Sequence, residues 1–232
     1  MPTTPTDDGD DPRSRFRDGV RAGLPYAAVG GLLSLSFGVL ARDIGFSVEA
    51  AVVMSTVVFA GSAQFTAVAI LAGGGSAGAA VAAAALMNSR FLPMGAALGP
   101  SLPGNAAVRA AQGQTVVDSS WAMAGRGDGT FDRWFLFGST APQYLTWVGG
   151  TVLGALGGDL LGGTARFGLD AVYPMFFLGL LLAEMGDRRS TAVALAGGLV
   201  ALALVEVAPA GVPVLAASVV ALWGLRSAPG SA

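Results

Sequence analysis

Long apolar runs alternate with short charged interruptions along most of this 232-residue chain. The runs fall at about 23–40, 50–72, 76–99, 106–124, 134–157, 169–186, 190–206 and 210–225. Each is near the roughly 20 residues that a helix needs to cross a bilayer. They are continuous and do not alternate with period two, so the pattern predicts helices and not barrel strands. The expected fold is all-α: a polytopic helical membrane protein in the lipid bilayer, with seven to eight transmembrane helices, one or more broken near the midplane. The count turns on the fourth run, where Arg109, Gln112, Gln114 and Asp118 predict a short, tilted or broken helix.

Ahead of the first run, residues 1–12 (MPTTPTDDGDDP) are polar, acidic and proline-containing, and read as disordered. The expected organisation is a disordered cytoplasmic tail at 1–21 and a single transmembrane domain at 22–232. Arg13, Arg15, Arg17 and Arg21 imitate the start of a signal peptide. The run that follows is too long for a signal core, no A-x-A site follows it, and more spans come after. A first transmembrane helix fits better.

Arginine placement sets the orientation. With the N-terminus inside and eight crossings, the cytoplasmic side holds Arg13, Arg15, Arg17, Arg21, Arg126, Arg133, Arg188, Arg189 and Arg226. The outer side holds Arg42, Arg109 and Arg166. That asymmetry obeys the positive-inside rule and predicts both termini in the cytoplasm of a cell inner or plasma membrane protein. A fourth segment that failed to cross would move Arg188 and Arg189 outside and weaken the bias.

Two neighbouring runs carry polar clusters at mid-depth, where a lipid-spanning helix should have none. The first is Gly61-Ser62-Ala63-Gln64, and the second is Asn88-Ser89-Arg90. An arginine at a helix centre costs roughly 2.5–3.5 kcal/mol on insertion scales, so groups kept there face a cavity, a pathway or each other. The glycine turn Gly73-Gly74-Gly75 joins the two runs as a hairpin, which places both clusters at one depth. Gly61 and Ser62 also permit the helix to unwind and expose backbone groups that hold a zwitterion. Packing through small residues, with Gln64 bonded to a neighbour, is the alternative reading.

Asp118 is a further candidate, since a carboxylate in low-dielectric surroundings can carry a proton. It also has Arg90 and Arg109 as possible ion-pair partners, or it is a solvated helix-end acid. Pro142, ahead of Gln143 and Tyr144, predicts a kink. Asp170, beside Tyr173 and Pro174, reads as a helix N-terminal acid. Glu184, Asp187, Arg188 and Arg189 read as a solvated loop, and Glu206 as interfacial. Gly150 and Gly154 form a GxxxG pattern that predicts close helix packing.

Composition narrows the chemistry. The chain is 53% hydrophobic and 12% charged, against the quarter or so usual in soluble domains. It has no cysteine, histidine or lysine, which removes disulfides, thiol nucleophiles, Ser-His dyads and HExxH zinc sites. No cofactor, metal or nucleic-acid partner is expected. An intramembrane enzyme would need paired central acids that no two spans supply, so the expected protein is not an enzyme.

The run GLPYAAVGGLLSLSFGVLARDIGFSVEAAVVMSTVVFAGSAQF, followed by LMNSRFLPMGAALGPSL, resembles the AzlC family of branched-chain amino acid permeases. The matching positions are Gly23 and Pro25; Phe59, Ala60, Gly61, Gln64 and Phe65; and Asn88, Arg90 and Pro100. VVDSSWAMA and GLDAVYPMFFLGLL resemble later family segments, and the order and spacing of all of these together are specific. Where the family often has Asp-Glu, this chain has Asp118-Ser119, so a proton-carrying role falls to Asp118 or is lost.

The resemblance implies a secondary transporter that exports branched-chain amino acids, and sometimes methionine, driven by the proton-motive force. It also implies a small AzlD-type membrane subunit as partner. The substrate site expected is Gly61, Ser62, Gln64, Asn88 and Arg90, with Phe65 and Leu86 against the aliphatic side chain and Asp118 in proton coupling. The rivals are a passive channel or facilitator and a structural subunit whose partner carries the site.

Overall fold

The computed structural model describes residues 11–161, 175, 178, 181, 182, 185, 188–208 and 212–225. The residues expected in the sixth span, with Asp170, Tyr173, Pro174, Glu184 and Asp187, lie mostly outside them, as do Arg166 and Arg226. Regular structure among the described residues is helical, apart from an isolated bridge between Gly125 and Phe131. The helices are α1 (Pro12–Asp43), α2 (Val48–Val57), α3 (Gly61–Ala72), α4 (Ala77–Asn88), α5 (Phe91–Leu98), α6 (Ala106–Gly113), α7 (Asp118–Ala124), α8 (Arg133–Leu161), α9 (Arg188–Val205) and α10 (Val212–Leu225). By length and composition, α1, the stretch Ala77–Ser101 and α9 are long and apolar enough to cross a membrane.

The second, third and fourth predicted spans are each divided in two. α2 and α3 have 10 and 12 residues, which rise about 15 and 18 Å. Together they match the roughly 30 Å of a hydrocarbon core, with the break near its middle. α3 and α4 form the predicted antiparallel hairpin, turning at Gly73–Gly75, where Gly74 has φ +79°. α9 and α10 pair as a second hairpin, and Leu215 of α10 packs on the Ala80–Ala83 face of α4.

α1 begins at Pro12, ahead of the predicted 23–40, so residues 12–21 are helical and not tail. Asp11 caps the start by accepting the N–H of Arg13, and Pro12 suits the first turn because its missing N–H would have no partner. Tertiary contact then holds these turns. Gly19 and Gly23 lie directly on the carbonyls of Phe135 and Ser139 in α8.

That contact continues along both helices. A Cβ added at Gly19, Gly23 or Gly38 would run into the α8 backbone, and one at Gly138, Gly150 or Gly154 would run into the α1 backbone. Gly138 meets Phe16, Gly150 meets Gly31 and Ser34, and Gly154 meets Leu35. Numbers rise together on the two sides, so α1 and α8 run parallel. α2 runs opposite to α8, since Ser55 meets Thr151 while Thr56 meets Tyr144.

The α8 N-terminus is fixed by Asp132. This carboxylate is 4% exposed, accepts the N–H groups of Trp134 and Phe135 at 3.0 Å each, and pairs with Arg15 and Arg126. Burial pushes its pKa up, but the Phe135 N–H and the two guanidinium groups outweigh burial and hold it below the usual aspartate range. It therefore ties the start of α8 to the start of α1.

Gly154→Leu forces the pair apart at Leu35 and should cost about 1–3 kcal/mol or more, read as a lower Tm in detergent. Gly149→Ala, with open space around it, should leave Tm unchanged. A lowered folded pKa means that Asp132 stabilises above the unfolded value of about 3.9 and ceases to do so as pH falls through the folded value. Asp132→Asn should then cost about 3 kcal/mol at pH 7, and the gap to wild type should close in acid-unfolding titrations.

Candidate functional site

The break between α2 and α3 spans Val58–Ala60. Phe59 takes φ +43°, a left-handed conformation that costs a non-glycine residue about 1–3 kcal/mol and persists only under tertiary constraint. Its ring packs edge-on against Tyr144, centroids 4.9 Å apart. The carbonyls freed at the end of α2 find partners from elsewhere: Thr56 accepts from the Tyr144 hydroxyl at 3.1 Å, and Val57 from the Gln114 amide. On the other side of the break, Ala60 provides no side-chain cap for the first N–H groups of α3. Gly61 is glycine for a reason of space, because a Cβ there would lie 2.6 Å from the Trp147 indole.

Gln64 is fully buried and turned to α8. Its amide nitrogen donates to Ser55 at 2.9 Å, and its oxygen accepts from the Trp147 indole at 3.0 Å. Ser55 and Thr151 share a further bond of 2.7 Å. Phe65, beside it, is enclosed by Phe37 and Trp147.

Arg90 stands at the break between α4 and α5. One of its terminal nitrogens donates to Ser62 at 3.0 Å and to Asp118 at 2.9 Å. The hairpin brings Arg90 to the start of α3, and the break between α6 and α7 brings Asp118 to the same place. The pair is not sealed: the Arg90 and Asp118 side chains are 38% and 59% exposed. Two buried atoms nearby in sequence have no hydrogen-bond partner, the donor Nε of Arg90 and the acceptor Oδ1 of Asn88. Ser119, next to Asp118, donates to Gln143 of α8 at 2.8 Å.

A cavity of about 310 Å³ opens between the end of α2, the α6–α7 segment and α8. Thr56 closes it from α2, Gln114 and Thr115 from the segment before α7, and Thr140 and Tyr144 from α8. Of the residues expected at the site, Ser62, Arg90 and Asp118 form one hydrogen-bonded group, Gly61 adjoins it, Asn88 is half-buried beside the same break, and Gln64 faces α8.

The AzlC protein family profile matches residues 25–161, more than half the chain. The chain belongs to the AzlC family. It is 29% identical to the inner membrane protein YgaZ of Escherichia coli over 83% of each chain. It is 30% identical to an uncharacterized membrane protein of Archaeoglobus fulgidus, over 81% of this chain and 84% of the relative. It is 26% identical to the branched-chain amino acid transport protein AzlC of Bacillus subtilis, over 80% of this chain and 75% of the relative. No solved structure matches.

Within this AzlC-family chain, the matched region takes in all three breaks, the part of α1 from Pro25 onward and all of α8. Sequence reasoning passed over Ser55, Gln114, Thr140, Trp147 and Thr151. Polarity in an apolar run was the available signal for Ser55, Thr140 and Thr151, and Gln114 was counted only as a mark against its span. Nothing in the sequence paired Trp147 with Gln64.

Gln64→Leu would leave the buried Trp147 N–H without its acceptor, at a cost of about 1–3 kcal/mol. Tryptophan emission and Tm in detergent should report the change together.

Proposed function

We propose that the chain is a secondary-active transmembrane transporter, a multi-pass protein of the cell membrane, driven by the proton-motive force and exporting branched-chain amino acids. Leucine, isoleucine and valine are the proposed substrates, with methionine as a further candidate. The observation that carries this reading is the Arg90 guanidinium in a helix break, joined to Ser62 and Asp118. An arginine beside the uncapped start of α3 is a place for a carboxylate, through charge-assisted bonds and free backbone N–H groups. The Bacillus subtilis relative, a branched-chain amino acid transport protein, supports the substrate class, and the family resemblance supports the direction.

In this reading Asp118 and the substrate carboxylate compete for Arg90. The substrate carboxylate takes Arg90, and ionised Asp118 turns to the substrate ammonium; protonation of Asp118 from outside removes that attraction and expels the substrate, so proton entry and amino-acid exit alternate. Asn88 Oδ1, an acceptor without a partner, is suited to the substrate ammonium. Gly61 leaves room for the Trp147 ring that shapes the break, and Gln64, with both ends of its amide engaged, holds that ring in place.

The proposed topology has eight crossings with both termini cytoplasmic. The parallel run of α1 and α8 supports it, because two helices entering from the same side need an odd number of crossings between them. The three divided segments between α1 and α8 supply that number. A small AzlD-type subunit remains the proposed partner, on family resemblance.

Efflux of preloaded labelled leucine from vesicles, with and without a pH gradient, tests the reading. Arg90→Ala should lower efflux and leucine affinity by at least about tenfold, the value of a charged hydrogen bond. Asp118→Asn should retain binding and lose the response to the gradient. Wild-type efflux that ignores the gradient would identify a passive facilitator instead.

A further inference from the structure

The face of α1 turned away from α8 changes character partway along. Gly19 and Gly23 press one side of the helix against α8. On the opposite side Arg13, Arg17 and Arg21 recur every fourth residue and so form one stripe. Leu24, Ala28 and Leu32 carry the same stripe onward. All six are exposed, Leu24 to 54% and Leu32 to 72%. One strip of surface is therefore basic first and apolar afterwards.

Its charge is uncommitted. Arg15, turned toward α8, is taken by Asp132. Arg13 and Arg17 have no carboxylate partner among the described residues. Arg21 stands 3.8 Å from Asp18, but both side chains are more than half exposed, and so loose and wet a contact cancels little.

Depth fits the two halves of the strip to a bilayer. The rise from Arg21 to Arg42 is about 32 Å, close to the roughly 30 Å of a hydrocarbon core. Arg21 then marks one boundary, with Arg17 and Arg13 about 6 and 12 Å outside it. Trp134 marks that level independently. It is exposed on α8 beside Phe135, which Gly19 touches, and it carries the Arg133 guanidinium over its ring. Tryptophans in such positions gather at the headgroups. From Arg21 to Leu32 the rise is about 16 Å, half of the core and so the depth of one leaflet.

We propose that this strip seats an anionic phospholipid, with its headgroup phosphate on Arg13, Arg17 and Arg21 and an acyl chain along Leu24, Ala28 and Leu32. Arginines clustered just outside a span attract acidic headgroups, and the guanidinium fork matches phosphate oxygens. The apolar continuation singles out a lipid, because a free phosphate or an acidic peptide would use the arginines and leave the leucines idle. The inference needs α1 to cross a bilayer and does not depend on what the chain transports.

Native mass spectrometry of the full chain tests this, with phosphatidylglycerol and phosphatidylcholine of identical acyl chains supplied in equal amounts. Asp7, Asp8 and Asp10 precede the stripe in sequence, so the intact chain is the sample in which the lipid has to prevail. Wild type should retain phosphatidylglycerol preferentially, and excess inorganic phosphate should not displace it. Arg17→Gln gives up no bond among the described residues, so it should lower the preference about fivefold at unchanged Tm. Replacing Arg13, Arg17 and Arg21 together by glutamine should abolish it, whereas Arg109→Gln, a loss of charge elsewhere, should leave it unchanged. Equal retention of the two lipids by wild type, displacement by phosphate, or a preference that survives the triple substitution would overturn the proposal without touching the transporter reading.

Discussion

Two helices far apart in sequence, α1 and α8, lie backbone against backbone and point the same way. In lipid there is no hydrophobic gain from pressing one apolar helix against another, so association depends on close fit and polar contact. Glycines on both sides provide the fit, at Gly19, Gly23 and Gly38 on one helix and Gly138, Gly150 and Gly154 on the other. Ser34 adds a bond across the seam to the Thr146 carbonyl. Asp132 holds the two N-termini together with Arg15. Everything between Asp43 and Asp132 is an excursion from one member of this pair to the other.

That arrangement explains how three successive segments can be broken. A broken helix releases carbonyl and N–H groups that lipid cannot satisfy. Here α8 satisfies one of them directly and packs against the breaks. Tyr144 reaches the end of α2, Trp147 covers Gly61 and holds Gln64, and Gln143 receives Ser119 beside Asp118. The helix that makes the tightest contact is also the one that steadies the breaks. Arg90 and Asp118, by contrast, sit where α8 does not enclose them, and their pairing is free to change.

Much of this could be read from the chain before any coordinates. Polar residues at mid-run marked the break at Gly61 and set Arg90 apart as a charge with work to do, because a charge or a loose glycine at that depth has few other uses. The semi-polar fourth run foretold its own division. The role of Gln64 could not be read, since its partners Ser55 and Trp147 come from other helices and an amide on an apolar face looks the same whether it binds a ligand or a neighbour. The early start of α1 was hidden for a similar reason: acidic and basic residues around Asp11 resemble a solvated tail until Asp132 supplies their counter-charge. Nor could the left-handed backbone at Phe59 be foreseen, because a residue with a bulky ring seldom adopts it.

The manner in which the end of α2 is held has a bearing on how such a chain tolerates descent with change. Thr56 and Val57 are gripped by their main-chain oxygens, from Tyr144 and Gln114, which stand 88 and 57 positions further along. Any amino acid offers the same oxygen, so drift at 56 and 57 leaves the grip intact. The identity of this kink is written at a distance, and substitutions at Gln114 or Tyr144 would be inherited as defects of a bend neither residue belongs to.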